Sequence, residues 1–107
     1  MKTVFVLIAS LISFSAGASD KCLKYQDSPR YIKAIQSVAA YTNYQMKELC
    51  NLPTVWDIEA QPDRVFTRDG EKIPHVRVQL HREFDSCLYM VRDSDQEITS
   101  ARCYSGT

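Results

Sequence analysis

Four cysteines in a chain of 107 residues, Cys22, Cys50, Cys87 and Cys103, constrain this protein more than any other feature. An even number in so short a chain reads as a disulfide framework, provided the chain reaches an oxidising compartment. The N-terminal segment supplies that context. Lys2 gives a short basic start, Thr3 to Phe14 form an apolar run, and Ala16-Gly17-Ala18 presents the small-x-small pattern read by signal peptidase. The run is too short to cross a bilayer, which takes about 20 apolar residues. The sequence therefore predicts a signal peptide over 1–18 and a mature, periplasmic or secreted chain over 19–107.

That mature chain is the length of one small domain. A domain of this size buries roughly 60% of its unfolded surface, so its core is marginal. Two disulfides, each worth on the order of 2–4 kcal/mol, answer that margin. Basic and acidic residues number 13 each, and removal of Lys2 tips the balance slightly negative. A nucleic-acid binder would carry a clear basic excess. No second apolar stretch follows the first, so no membrane insertion of the mature chain is expected.

Residues 19–27 are a polar lead-in, after which Ser28-Pro29 marks a helix start. Ile32, Ile35, Val38, Ala39, Met46 and Leu49 then recur at helical spacing, and Asn51-Leu52-Pro53 closes the run. This reads as one long amphipathic helix over about 29–50, weakest at Tyr41-Thr42-Asn43-Tyr44, where propensity is poor. The period then switches to alternation. Trp56 and Ile58 alternate with acidic residues, which places Trp56 in the core. Val65-Phe66 and Ile73 flank the Asp69-Gly70 turn signal, and Val76, Val78 and Leu80 alternate with Arg77, Gln79 and His81. Leu88–Val91 and Ile98–Cys103 bracket a turn at Asp93–Gln96. The fold class is α+β: one long N-terminal helix packed on a four- to five-stranded antiparallel meander, stapled by disulfides.

Geometry ranks the three cysteine pairings. An unbroken helix over 29–50 is roughly 32 Å long. The lead-in from Cys22 to Pro29 reaches back at most about 24 Å, and a disulfide adds about 6 Å. Cys22–Cys50 therefore demands a kinked or shortened helix. Pairing each of these cysteines with one of Cys87 and Cys103 fits better, and the choice between those two pairings stays open.

Candidate chemistry is sparse. His75 and His81 share a strand face about 20 Å apart, too far to hold one metal ion. With Arg77 and Gln79 they form a polar stripe, either a solvated face or a recognition surface. No C-x-x-C spacing suggests zinc, and the acidic turn Asp93, Asp95, Glu97 lacks the glycine and longer ligand run of a calcium loop. No cofactor is expected. An enzyme would need acid and base groups to converge, for example His81 with Glu83 or Asp85. Tyr31 and Tyr41 lie off the apolar helical stripe, so at least one should face solvent or a partner. The candidate interaction surface is thus Tyr31, Tyr41, His75, Arg77 and His81. An exposed final strand could also pair with its own copy, although strand order at the edges is not readable from sequence.

Cys22 ahead of a helix starting at Pro29, Trp56-Asp57 after it, Ile73-Pro74 entering a strand and a closing hairpin around Asp93 together resemble the small cystatin-like periplasmic proteins. The likeness spans most of the mature chain as architecture. The chain departs from that group by having four cysteines in place of a single bridge. The resemblance implies a protein that binds another protein outside the cytoplasm, and no functional residue carries over from it. The expected function is non-enzymatic: an inhibitor or immunity-type protein that occludes a secreted enzyme or toxin. The alternative is an accessory component of a cell-envelope complex.

Overall fold

The computed structural model describes residues 20–105, so the segment read as a signal peptide lies outside the described residues. A single 3-10 turn, Leu23–Tyr25, leads into helix α1, Pro29–Tyr41, and a short helix α2, Met46–Cys50. Four strands follow: β1, Val55–Phe66; β2, Lys72–Arg82; β3, Asp85–Arg92; and β4, Ile98–Ser105. They form one antiparallel sheet in chain order, β1-β2-β3-β4.

The expected long helix over 29–50 does not exist. Pro29 starts α1 where its missing N–H costs nothing, but the helix stops at Tyr41. The Thr42 hydroxyl donates back to the carbonyls of Val38 and Ala39. Asn43 then enters the left-handed region at φ 66°, a conformation its short polar side chain tolerates. Asn43 N–H donates to Ala40 O and Tyr44 N–H to Ala39 O, the paired bonds that end a helix. A capping box restarts the chain, with Gln45 N–H donating to Glu48 Oε1 at 3.0 Å. The apolar spacing from Ile32 to Leu49 is real, but it is divided between two helices.

That break overturns the pairing argument as well. With the helix shortened and redirected, Cys50 comes back to the lead-in, where Lys21 N–H donates to its carbonyl at 2.8 Å. Cys22–Cys50 is a disulfide with Cα atoms 5.4 Å apart, and Cys87–Cys103 is the other. The second bridge joins residues directly opposite each other on β3 and β4.

One sheet face carries the core. Ile58 and Ala60 of β1, Val76, Val78 and Leu80 of β2, and Cys87, Tyr89 and Val91 of β3 pack with Ala34, Ile35, Val38 and Ala39 of α1. At about 25 cal/mol per Å² of apolar surface, this single cluster is the main source of stability. The other face holds Glu59, Arg77, Gln79 and His81, with Leu88 and Met90 of β3 half-buried among them. Residues 55–66, expected as two short segments, form one strand that turns at 67–71 with Gly70 at φ 82°. The β1–β2 hairpin also outruns the sheet. Its last pairs, Arg64 with Pro74, Val65 with Ile73 and Phe66 with Lys72, lie beyond the row where His75 meets Arg92 of β3.

Trp56 is not a core residue. The β1–β2 register shifts between Val55 and Asp57, so Trp56 sits in a bulge and is 62% exposed. Strict alternation counted from Ile58 pointed it inward; the extra residue reverses its phase.

Candidate protein-binding surface

The residues expected to form one interaction surface are divided between the two sides of the sheet. Tyr31 and Tyr41 stand on α1. Tyr31 is half-buried and meets Tyr25 edge-on at 5.6 Å, while Tyr41 is exposed and meets Tyr89 edge-on at 5.7 Å. Burial pushes the Tyr89 hydroxyl above its ordinary pKa. Arg77 and His81 lie on the opposite, open face of the sheet. Arg77 reaches Asp63 at 3.5 Å.

His75 belongs to no surface. It is 1% exposed, with Nδ1 2.9 Å from Ile73 O and Nε2 3.0 Å from Thr99 Oγ1. Its place in the β2 alternation pointed it to the polar face, but the β3–β4 connection closes over that end of the sheet. Asp93 N–H donates to Pro74 O, and Arg30 donates to the carbonyl of His75 itself. The imidazole is a buried polar group satisfied on both nitrogens, as such groups must be.

His81 meets neither Glu83 nor Asp85. Its Nε2 lies 2.5 Å from Glu59 Oε1 and its Nδ1 3.1 Å from Ser86 Oγ. Asp85 instead pairs with Arg82, whose guanidinium holds that carboxyl below the usual range. A serine, a histidine and a carboxylate in a row are the parts of an acyl-transfer centre, but such a centre also needs donors for an oxyanion. Ser86 sits opposite His81 on one side and Tyr104 on the other, with its backbone in the ladder. A cleft lined by Arg30, Lys33, Val76, Arg92, Asp93 and Gln96 opens beside α1 on the other side of the sheet. The trio is a cross-strand polar network.

The features best suited to hold a partner are ones the sequence reading missed. Phe84, in the β2–β3 turn, is 79% exposed, and Trp56 is 62% exposed. They stand at the same end of the sheet: Val55 pairs with Arg82, and Thr54 lines a cleft together with Arg82, Glu83, Phe84 and Asp85. Tyr44, released by the helix break, adds to the field around Arg82 and is 38% exposed. Two large exposed aromatic side chains at one end of the sheet, one of them in a cleft with the paired Arg82, are the kind of anchors that dominate protein interfaces. The signal for Phe84 was present: an apolar residue set in Arg82-Glu83-Phe84-Asp85, among charged neighbours that no core would accept.

A scan against protein-family models finds no match, and neither the curated proteins nor the solved structures compared with this chain supply one. Among the described residues, no helix is long and apolar enough to cross a membrane. The function must be argued from the surface itself.

Proposed function

We propose that this chain is an exported, non-enzymatic protein-binding domain that blocks a secreted enzyme or toxin by steric occlusion. The exposed aromatic end of the sheet, with Trp56 in the β1 bulge and Phe84 in the cleft with Arg82, is the observation that carries this reading. Leaving a Trp and a Phe in water on a small domain forgoes apolar burial that a partner would recover, about 1.5–3 kcal/mol for a fully covered side chain. The two disulfides support a life in an oxidising compartment, and rigidity of the domain lowers the entropic cost of docking. The architectural resemblance to small cystatin-like periplasmic proteins points the same way.

The test is a side-by-side retention experiment. Oxidised wild-type protein and a Trp56→Ser/Phe84→Ser variant are each immobilised and exposed to envelope and culture-supernatant fractions. A secreted enzyme or toxin held by wild type at fixed stoichiometry, inhibited by it, and released from the variant is the expected result. A constitutive envelope component held in the same way would replace inhibition with the accessory role. Identical retention by both proteins would overturn the assignment of this end as the binding surface.

A further inference from the structure

The two outer edges of the sheet are treated in opposite ways. On β1 the N–H groups that point away from the sheet are already occupied. Ile58 N–H donates to Asp57 Oδ1 at 2.9 Å, Ala60 N–H to the Tyr25 hydroxyl at 2.8 Å, and Arg64 N–H to Asp63 Oδ1 at 2.8 Å. Pro62, between them, has no N–H to offer. This edge is sealed by its own side chains.

The direction of these bonds also fixes what β4 presents. In an antiparallel pair, opposed residues turn their backbone groups either toward each other or both away. Ala60 turns away from its partner Val78, so Val78 turns to Tyr89 of β3, and Tyr89 therefore turns its back on Ala101 of β4. Ala101 directs its N–H and C=O outward, and by alternation so do Cys103 and Ser105. Residues 101–105 are all exposed, and among the described residues none of these outward groups has a partner. The stretch contains no proline and a single charge, Arg102. Beyond that one charge and the register shift near Ile98–Ser100, nothing blocks the edge over residues 101–105.

We propose that the β4 edge joins two copies of this chain, antiparallel about a twofold axis, into one continuous eight-stranded sheet. Register and charge select a second copy as the occupant. A twofold centred on Arg102 sets like charges directly opposite each other, which is destabilising. One centred on Ala101 soon runs into the irregularity near Ile98–Ser100, where the β3–β4 register shifts. A twofold centred on Cys103 keeps the whole ladder within the regular stretch. It pairs Ala101 with Ser105 of the other copy and sets Arg102 opposite Tyr104, which is 49% exposed in the single chain. Arg102 and Tyr104 meet twice across the axis on the open sheet face, each cation beside an aromatic ring. The Cys87–Cys103 bridge lies on the helix side, away from that contact.

Sedimentation of the purified, oxidised protein over a concentration series tests this. The expected mass rises from that of one chain to that of two, and an Ala101→Pro variant, which removes an outward N–H without touching the β3 ladder, stays at one chain. Should that variant fail to fold, amide exchange in the wild type decides: Ala101 and Cys103 amides slow with rising concentration, while the Ala60 amide does not change. A wild-type mass of one chain at every concentration overturns the proposal, even if another protein's strand were found on this edge. So does a dimer that a folded Ala101→Pro variant leaves intact. Neither outcome bears on the Trp56–Phe84 surface.

Discussion

The lead-in with its two helices and the β3–β4 hairpin are each closed by one disulfide, yet the bridges do different work. In the hairpin, Cys87 and Cys103 stand opposite each other on strands that the backbone ladder already aligns. In the helical region no ladder exists. Cys22 and Cys50 are both buried, 4% and 2% exposed, and their bond joins the lead-in to α2 beside the Lys21 bonds to Cys50 O and Leu52 O. The hairpin bridge reinforces a register chosen by β-pairing. The helical bridge, together with Tyr25 on the β1 edge, defines where the lead-in goes.

That contrast can be broken most forcefully at the cysteines. Replacing Cys22 and Cys50 together by Ala should cost about 3–4 kcal/mol in urea unfolding, from the released loop entropy, with an added loss from two emptied core positions. Replacing Cys87 and Cys103 should cost about 3 kcal/mol for its shorter loop and leave the β3–β4 amide protection in place. Equal costs with equal loss of structure would erase the distinction. Because Cys103 is exposed and the other bridge is buried at both ends, limiting reductant followed by thiol labelling should open the hairpin bridge first.

Smaller perturbations sharpen the same comparison. His75→Ala should destabilise by about 2 kcal/mol, since it empties a buried position and strips the part-buried hydrogen bond to Thr99 that ties β4 to β2. Chemical denaturation measures it, and a neutral result would mean the hairpin needs no such tie. Tyr25→Phe removes the acceptor for the Ala60 N–H and should cost about 1 kcal/mol. Faster exchange at that one amide would show the lead-in sealing the β1 edge.

The mildest effect lies in the β3–β4 turn. Arg92 hydrogen-bonds the exposed Asp95 carboxylate and, with the Glu97 backbone N–H, lowers its pKa from 3.8 to about 2. A depressed carboxylate pKa stabilises the folded state above the unfolded value, and that contribution disappears as pH falls from about 4 toward 2. Arg92→Gln should return the Asp95 midpoint, followed by carboxyl NMR, toward 3.8. An unmoved midpoint would show that the guanidinium does not hold the turn.

Much of the local grammar was open to a sequence reading. Ser28-Pro29 starts a helix, the Asp69-Gly70 region turns, and Val76, Val78 and Leu80 face a core, because each depends on a residue and its near neighbours. What escaped depended on displacement by a single residue or on distant contacts. The weak stretch Tyr41–Tyr44 was legible, but the break at Asn43 was not, since both helices continue the same kind of apolar stripe. A bulge at Trp56 shifted the alternation by one residue, so Val55 and not Trp56 joins Ile58 in the core. His75 carried the right parity for the open face, but a loop from the other end of the chain covers it. Of the candidate interaction residues, Tyr31, Tyr41, Arg77 and His81 remain accessible to some degree, while Trp56 and Phe84 are the most exposed aromatic side chains among the described residues.

The sequence by itself determined the alternation of the sheet, the amphipathic stripes of the helices and the supply of four cysteines, because these follow from side-chain polarity at periods of 2 and 3.6 residues. Only the tertiary structure decided which cysteines meet, which aromatics stay in water and which edge of the sheet is sealed. Those outcomes turn on the direction the chain takes after Asn43 and on how segments remote in sequence cover one another, and no local propensity encodes either.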